Sequence, residues 1–170
     1  MNIVITLPVN LIAEILEGRK VYEIRSKIPA DFNINRDVVY VVQKGTKKVV
    51  LYFTIVRFTT NLDLGKNARE IAKKAAIPTG WLKTYAEGKD KIHAWEIGCY
   101  CKLTDCSEVY EQLGIKTNPQ SFIYTECDWR QFRISYFRWL SDKGLDLKSR
   151  YLNPNFERSL WLMSNKEAVQ

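Results

Sequence analysis

The chain has 170 residues, of which 46% are hydrophobic and 12% aromatic, with only 8 Gly and 5 Pro. This length suits one ordinary domain or a domain with an extension, and the composition excludes two large domains, a disordered chain and a fibrous repeat. The formal net charge is +7, and nine basic against three acidic residues lie between Gly18 and Thr60. Such a concentrated positive field favours a polyanionic partner, nucleic acid before others, although a basic face can also serve solubility alone.

The N-terminal residues include an apolar stretch but neither a basic leader nor a small-residue cleavage site, so we expect no signal peptide. No apolar run approaches the roughly 18 to 20 residues that cross a bilayer. We therefore expect a soluble, cytoplasmic protein with no membrane partner, whose four cysteines are free thiols.

Hydrophobic periodicity and turn residues predict a mixture of strands and helices. The predicted strands are Ile3–Thr6, Val21–Arg25, Asp37–Gln43, Lys48–Phe58, Lys91–Leu103 and Ser121–Thr125. The predicted helices are Pro8–Glu17, Asn67–Ala76, Thr79–Tyr85 and Ser107–Leu113. Because these elements do not alternate regularly as βαβ units, we expect an α+β fold with a small curved sheet or barrel.

The pattern changes after Glu126. Asp128 can cap a helix on which Trp129, Phe132 and Tyr136 form one aromatic stripe. The stripe could stack on unpaired bases, but its helical spacing favours a buried contact. We therefore expect a domain of residues 1–125 and a helical extension of residues 126–170 packed on it.

Residues 69–85 look superficially like a helix-turn-helix. A DNA-reading unit needs a third supporting helix and polar residues early in its second helix, whereas this second helix opens with Thr79-Gly80-Trp81. Two helices that cover the sheet are the favoured interpretation. A DNA-binding regulator is the alternative, so DNA stays a candidate partner.

The sequence indicates no metal or cofactor. The cysteines at 99, 101, 106 and 127 lack the C-x-x-C spacing that zinc prefers, and His93 is the single histidine. Its position on a strand favours a structural imidazole over a catalytic base. The glycine-rich motifs that bind nucleotide cofactors are absent.

A charged cluster follows the first helix. On a strand Glu23 and Arg25 project to the same face, with Lys20 at the strand's start, so one carboxylate would lie beside two cations. The cluster is either a structural ion pair or a site for a phosphate or a base edge. The residues predicted to bind nucleic acid are Lys20, Glu23, Arg25, Lys27, Lys44, Lys47, Lys48 and Arg57.

The same segment resembles a known family. After an apolar strand, Pro8 and a helix, the pattern Gly18-x-Lys20-x-x-Glu23-x-Arg25 resembles the opening of the ASCH domain, a member of the PUA-like superfamily. Two later segments, Ala94-Trp95-Glu96-Ile97 and Pro119-Gln120-Ser121-Phe122, resemble later parts of that domain. The resemblance implies a small β-barrel with flanking helices, a cleft lined by the Lys20, Glu23 and Arg25 cluster, and binding of RNA or modified nucleosides, with a role in translation or RNA-linked regulation.

An enzyme acting on RNA or on a modified nucleoside is the alternative that the resemblance leaves open. One branch of the family is an amidohydrolase for N4-acetylcytidine that uses a lysine, a threonine and a glutamate, and another resembles a ribonuclease. Lys20 matches the lysine by position, but Glu23 stands where the threonine would be, and no acidic residue lies between Val38 and Leu62. In an enzyme, Lys20 would act as general acid/base or electrostatic stabiliser with Glu23 as its partner.

Overall fold

The structure, a computed structural model, describes residues 1–127, apart from the side chains of residues 104–108. The predicted helix at Asp128, its aromatic stripe and its packing on the domain lie outside the described residues. Within the described part, no helix is long and apolar enough to cross a membrane.

The described chain forms six strands and four helices. The strands are β1 Asn2–Leu7, β2 Tyr22–Arg25, β3 Val39–Gln43, β4 Val49–Thr59, β5 His93–Cys106 and β6 Phe122–Thr125. The helices are α1 Val9–Leu16, α2 Leu64–Lys74, α3 Thr79–Ala86 and α4 Ser107–Gln112. Helix α2 begins three residues earlier than the periodicity predicted, because the Asp63 carboxylate accepts a hydrogen bond from Gly65 N at 2.9 Å and caps the first turn.

All six strands belong to one sheet, in the order β2-β5-β4-β3-β1-β6. Strands β1 and β3 are parallel, and the other pairs are antiparallel. The sheet curls into a half-barrel with helices beside it, which confirms the predicted α+β fold with a small curved sheet and flanking helices. The curl brings β2 near the start of β6, where Arg25 Nη1 donates a 3.0 Å hydrogen bond to the Ser121 carbonyl.

The longest pair, β4 and β5, contains register shifts near Phe53 and Ile55. At this irregular stretch the Thr54 hydroxyl accepts a 3.0 Å hydrogen bond from Cys99 N. A Cβ atom on the adjacent Gly98 would lie 2.6 Å from Thr54 Oγ1. Glycine therefore lets the two strands approach closely at a β-bulge.

The two faces of the sheet are covered by different helices, because successive strand residues point to opposite sides. On one face, Ile12 and Ile15 of α1 pack with Ile3, Ile5 and Trp95. The other face packs against α4 and includes Val4, Tyr40, Val109, Tyr110 and Leu113, with Cys99, Cys101 and Cys127 half-buried beside it. A third cluster joins α2 and α3 to β2 and β5 through Ile24, Ile71, Ala72, Leu82 and Ala94.

Candidate functional site

A cleft of about 730 Å³ lies along the seam where β2 approaches the start of β6. The side of β2, α2 and α3 contributes Glu23, Arg25, Ile77, Pro78, Trp81 and Tyr85. The other side is built from the end of β1, the start of α1, the β3–β4 turn and residues 118–120, and it contributes Thr6, Pro8, Asn10, Lys44 and Asn118. The cleft therefore gathers segments that are far apart in the sequence.

The predicted cluster forms at this cleft. Glu23 Oε1 lies 2.8 Å from Arg25 Nε, and Glu23 Oε2 lies 3.1 Å from Lys20 Nζ. All three side chains are buried, with residue exposures of 4% for Lys20, 4% for Glu23 and 8% for Arg25. The structure thus brings together one carboxylate and two cations on β2 and the turn before it, as the spacing predicted.

Electrostatics keep Glu23 ionised. Its burial favours the neutral acid, but the attraction of Lys20 and Arg25 outweighs burial and lowers the pKa of the Glu23 carboxyl below its usual value. The carboxylate is therefore a stable anion between two cations. A carboxyl with a lowered pKa is a poor general acid at neutral pH.

Lys20 serves the structure of the cluster. Its Nζ donates to the Tyr22 carbonyl at 2.8 Å and to the Ala75 carbonyl at 2.9 Å, in addition to its ion pair with Glu23. An ammonium has three donors, so these contacts account for its donor capacity. Lys20 lies beneath the cleft rather than among the residues that line it, and it ties β2 to the residue that ends α2.

Arg25, in contrast, lines the cleft. Its guanidinium carbon lies 5.8 Å from the centre of the Trp95 ring, and Nη1 donates to Ser121 O. The Nε contact with Glu23 is an ion pair by distance, but Nε has no aligned hydrogen-bond acceptor among the described residues. Of the five N–H donors of a guanidinium, the contacts with Glu23 and Ser121 engage Nε and one N–H of Nη1. Arg25 is thus held firmly while keeping donor capacity at the cleft.

Trp81 and Tyr85 of α3 provide an aromatic wall. The two rings are nearly parallel, at an interplanar angle of 8° with centroids 5.1 Å apart. Trp81 is 51% exposed although the residue is large and apolar. An exposed indole on the wall of a cleft offers a flat surface on which a planar ligand can stack.

Helices α1 and α3 both begin at this cleft. Pro8 precedes α1 and Pro78 precedes α3, and both prolines line the cleft. Among the described side chains, none caps the first-turn N–H groups of either helix. Uncapped N-terminal N–H groups carry partial positive charge and attract anions. The two helix ends therefore add to the positive potential of Arg25 and Lys44.

The other predicted binding residues are distributed more widely. Lys44 lines the cleft, whereas Lys27, Lys47 and Lys48 are exposed outside its lining. Arg57 is exposed and forms an ion pair with Glu96 at 2.5 Å, because β4 and β5 place the two residues opposite each other. This pair raises the pKa of the Arg57 guanidinium through its hydrogen bond and attraction to Glu96. The cleft itself therefore contains Glu23, Arg25 and Lys44 of the predicted set.

Several lining residues were missed by sequence reasoning. The sequence predicts Trp81 and Tyr85 only as part of a helix that covers the sheet, and Thr6 and Asn118 belong to no motif. The spacing of Trp81 and Tyr85, four residues apart on one helix face, was the one available signal. Nothing local to the sequence shows that this face borders a cleft.

The segment that looks like a helix-turn-helix packs as the favoured interpretation predicted. Helices α2 and α3 bury Ile71, Ala72 and Leu82 against Ile24 and Ala94 of the sheet. His93 is buried on β5, and desolvation, with a contribution from Lys91, lowers the pKa of its imidazole. Among the side chains that the structure describes, no group of three or more His, Cys, Asp or Glu is arranged to hold a metal ion.

Comparison with solved structures supports the fold. The chain superposes on the ASCH protein of Zymomonas mobilis with a TM-score of 0.62 at 20% identity, covering 79% of this chain and 94% of that one. The serine-to-alanine variant of that protein gives a TM-score of 0.66 at 18% identity, and the match covers 79% of this chain and 94% of the variant. The tyrosine-to-phenylalanine variant gives a TM-score of 0.64 at 18% identity, and the match covers 79% of this chain and 96% of the variant. No family model and no curated protein matches the sequence. The chain therefore has the fold of an ASCH domain, as the resemblance of its opening and closing segments implied.

Proposed function

We propose that this protein binds RNA by taking one unpaired nucleotide into the cleft, with the base stacked on Trp81. The observation that carries the proposal is the half-exposed indole of Trp81, stacked on Tyr85 and facing a cleft that also contains Arg25. Stacking on aromatic side chains is a general way to hold unpaired bases, because every base has a flat π-face.

The size and charge of the cleft support a nucleotide as its occupant. Its volume of about 730 Å³ falls within the roughly 300 to 1,000 Å³ of small-ligand sites, which suits a flipped or terminal nucleotide. Lys44 lies at the cleft and Lys47 is exposed on the same turn. Flanking phosphates of the strand would follow this basic turn, because phosphate contacts position a nucleic acid without reading its sequence.

The chemistry of the buried cluster favours a binding module over the enzyme alternative. The ammonium of Lys20 is saturated by two carbonyls and Glu23, so it has no donor left to deliver a proton. Glu23 is held as an anion by both cations, which weakens it as a general base as well as an acid. Turnover of the bound RNA, measured in the same assays, would favour the enzyme instead.

The test is fluorescence anisotropy with a labelled single-stranded RNA hexamer. Trp81→Leu removes the π-face and should weaken binding about 5- to 150-fold, since stacking contributes about 1 to 3 kcal/mol per base. Trp81→Phe keeps a ring at the same place and should retain most of the affinity. Equal binding by wild type and Trp81→Leu would refute the stacking role.

Salt dependence provides a second readout. If the strand's phosphates contact the basic turn, log affinity should fall with log salt by about 0.7 for each contact. A duplex DNA of matched length, run in parallel, tests the DNA-binding alternative. Absence of RNA binding at low salt, or tighter binding of the duplex, would overturn the proposal.

A further inference from the structure

We infer that the polar part of the cleft is a subsite for a terminal phosphate, so that the nucleotide bound beside Trp81 is a phosphorylated end of an RNA strand. The inference rests on the proposed function for the base and adds the chemical class of the group beside it. Three features support the phosphate: the contacts of Arg25, the two helix ends and the depth of the site. Two buried polar atoms that have no hydrogen-bond partner among the described residues fit the ribose that carries it.

Arg25 is built as an anion receptor. Glu23 and Ser121 O hold its guanidinium in place, and Glu23 neutralises only one of the two buried cations that it contacts. The cluster of Lys20, Glu23 and Arg25 thus retains one net positive charge in a site where all three residues are at least nine-tenths buried. A buried charge interacts strongly with a partner of opposite sign, because little water screens it. The spare donors of Arg25 suit phosphate oxygens, which a guanidinium recognises in a planar fork.

The helix ends point to the same chemistry. Two uncapped helix N-termini and Lys44 border one cleft with Arg25. Each N-terminus favours an anion by its free N–H groups and its dipole, and phosphate is the usual ligand of such ends. The cleft therefore collects positive charge from four separate segments of the chain.

The depth of Arg25 favours a terminal over an internal phosphate. The residue is only 8% exposed, so a ligand must project a group inward to reach it. An internal phosphodiester carries sugars on both sides and one negative charge, whereas a terminal phosphomonoester projects freely and carries about −1.5 to −2 charges at pH 7. The recessed guanidinium is thus better matched by the end of a strand.

Two further polar atoms of the cleft lining have no partner. Thr6 Oγ1 and Asn118 Oδ1 are buried without a hydrogen bond among the described residues. The Asn118 amide is oriented, because its Nδ2 donates to Thr46 O at 2.8 Å, so Oδ1 must accept. The phosphate dianion has no proton to offer, but ribose hydroxyls do. A ribonucleotide therefore satisfies both the cationic and the accepting groups.

Isothermal titration calorimetry tests the inference with six ligands: inorganic phosphate, a nucleoside, its 5′-monophosphate, and RNA hexamers with a 5′-phosphate, a 3′-phosphate or neither. At least one terminally phosphorylated hexamer should bind about tenfold or more tightly than the unphosphorylated hexamer, and the monophosphate should exceed the nucleoside by a similar factor. The preferred end follows from the comparison of the two phosphorylated hexamers.

Two protein variants assign the effect to the subsite. Arg25→Lys keeps the charge but loses the planar fork, and it should reduce the advantage of the terminal phosphate. If that variant fails to fold, Lys44→Ala provides the test, with Lys47→Ala as its matched control on the same exposed turn. The advantage should fall in Lys44→Ala and persist in Lys47→Ala.

The outcomes separate the two proposals. Equal binding of all three hexamers overturns the terminal-phosphate subsite and leaves RNA binding in place. Binding of the monophosphate but of no hexamer refutes RNA binding and the RNA end as occupant, and it leaves only a subsite for the phosphate of a free nucleotide. An advantage that is unchanged in Arg25→Lys and in Lys44→Ala places the phosphate elsewhere and refutes the subsite.

Discussion

Replacing Glu23 by alanine tests how much the buried cluster stabilises the fold. The change removes the anion that Lys20 and Arg25 share. The two cations stay buried, because Lys20 is only 4% exposed and Arg25 only 8%. Removing one partner of a buried ion pair typically costs about 3 to 5 kcal/mol. Lys20 keeps its two carbonyl acceptors and Arg25 keeps Ser121 O, so we expect a loss near the lower end, about 3 kcal/mol.

The loss can be measured by urea unfolding and by a thermal scan. At about 2 to 4 °C per kcal/mol for a chain of this size, a loss of about 3 kcal/mol lowers the Tm by roughly 6 to 12 °C. Glu14→Ala is the matched control, because the Glu14 carboxylate pairs with Arg19 on the surface. Exposed ion pairs contribute little, so the control should unfold like the wild type.

The stabilisation by Glu23 should depend on pH. The Glu23 pKa is lower in the folded protein than in the unfolded chain, because Lys20 and Arg25 outweigh the effect of burial. The stabilisation is therefore complete above the ordinary carboxyl pKa of about 4.3 and is lost as the pH falls through the folded-state pKa. The difference between wild type and Glu23→Ala should shrink as the pH falls below about 4. A difference below about 1 kcal/mol at pH 7, or one that is the same at pH 7 and pH 3, would refute this account.

Three further substitutions test packing away from the cluster. Gly98→Ala should destabilise the fold by about 1 to 3 kcal/mol in urea unfolding, because its Cβ would lie 2.6 Å from Thr54 Oγ1 and 3.1 Å from Val56 Cγ2. Gly80→Ala lies in helix α3, where its Cβ would meet no described atom within 4 Å, so it should instead stabilise the fold by up to about 1 kcal/mol. Tyr100→Phe removes the 2.7 Å hydrogen bond to Leu16 O and should cost about 0.5 to 1.5 kcal/mol while RNA affinity stays unchanged, whereas a matching loss of affinity would show that α1 and the cleft are coupled.

Local patterns were sufficient to predict the elements and the core of the site. Strand alternation placed Glu23 and Arg25 on one face, and the structure shows their carboxylate and guanidinium in contact. Helix α2 starts before the predicted position, because the cap at Asp63, and not hydrophobic periodicity, determines where that helix begins.

The remaining features depend on contacts between distant residues. Lys20 donates a hydrogen bond to the carbonyl of Ala75, 55 positions away in the sequence. Arg57 forms its ion pair with Glu96 because the register of β4 and β5 places them opposite each other. Trp81 reaches the cleft only because α3 packs on β2 and β5. Local periodicity predicts which face of an element is apolar, but it does not predict which distant segment borders that face.

The link between Arg25 and Ser121 joins the two edges of a sheet that is an open, curled ribbon rather than a closed cylinder. Backbone ladders end at β2 on one side and at β6 on the other, and the Arg25 side chain spans the interval. A closed barrel ties its radius to its strand number and stagger, so its interior changes only when the whole sheet changes. Here the seam beside the cleft is held by the Arg25 guanidinium and the Ser121 carbonyl. Substitutions in residues 118–120 can therefore change one wall of the cleft while the backbone ladders of the sheet stay intact.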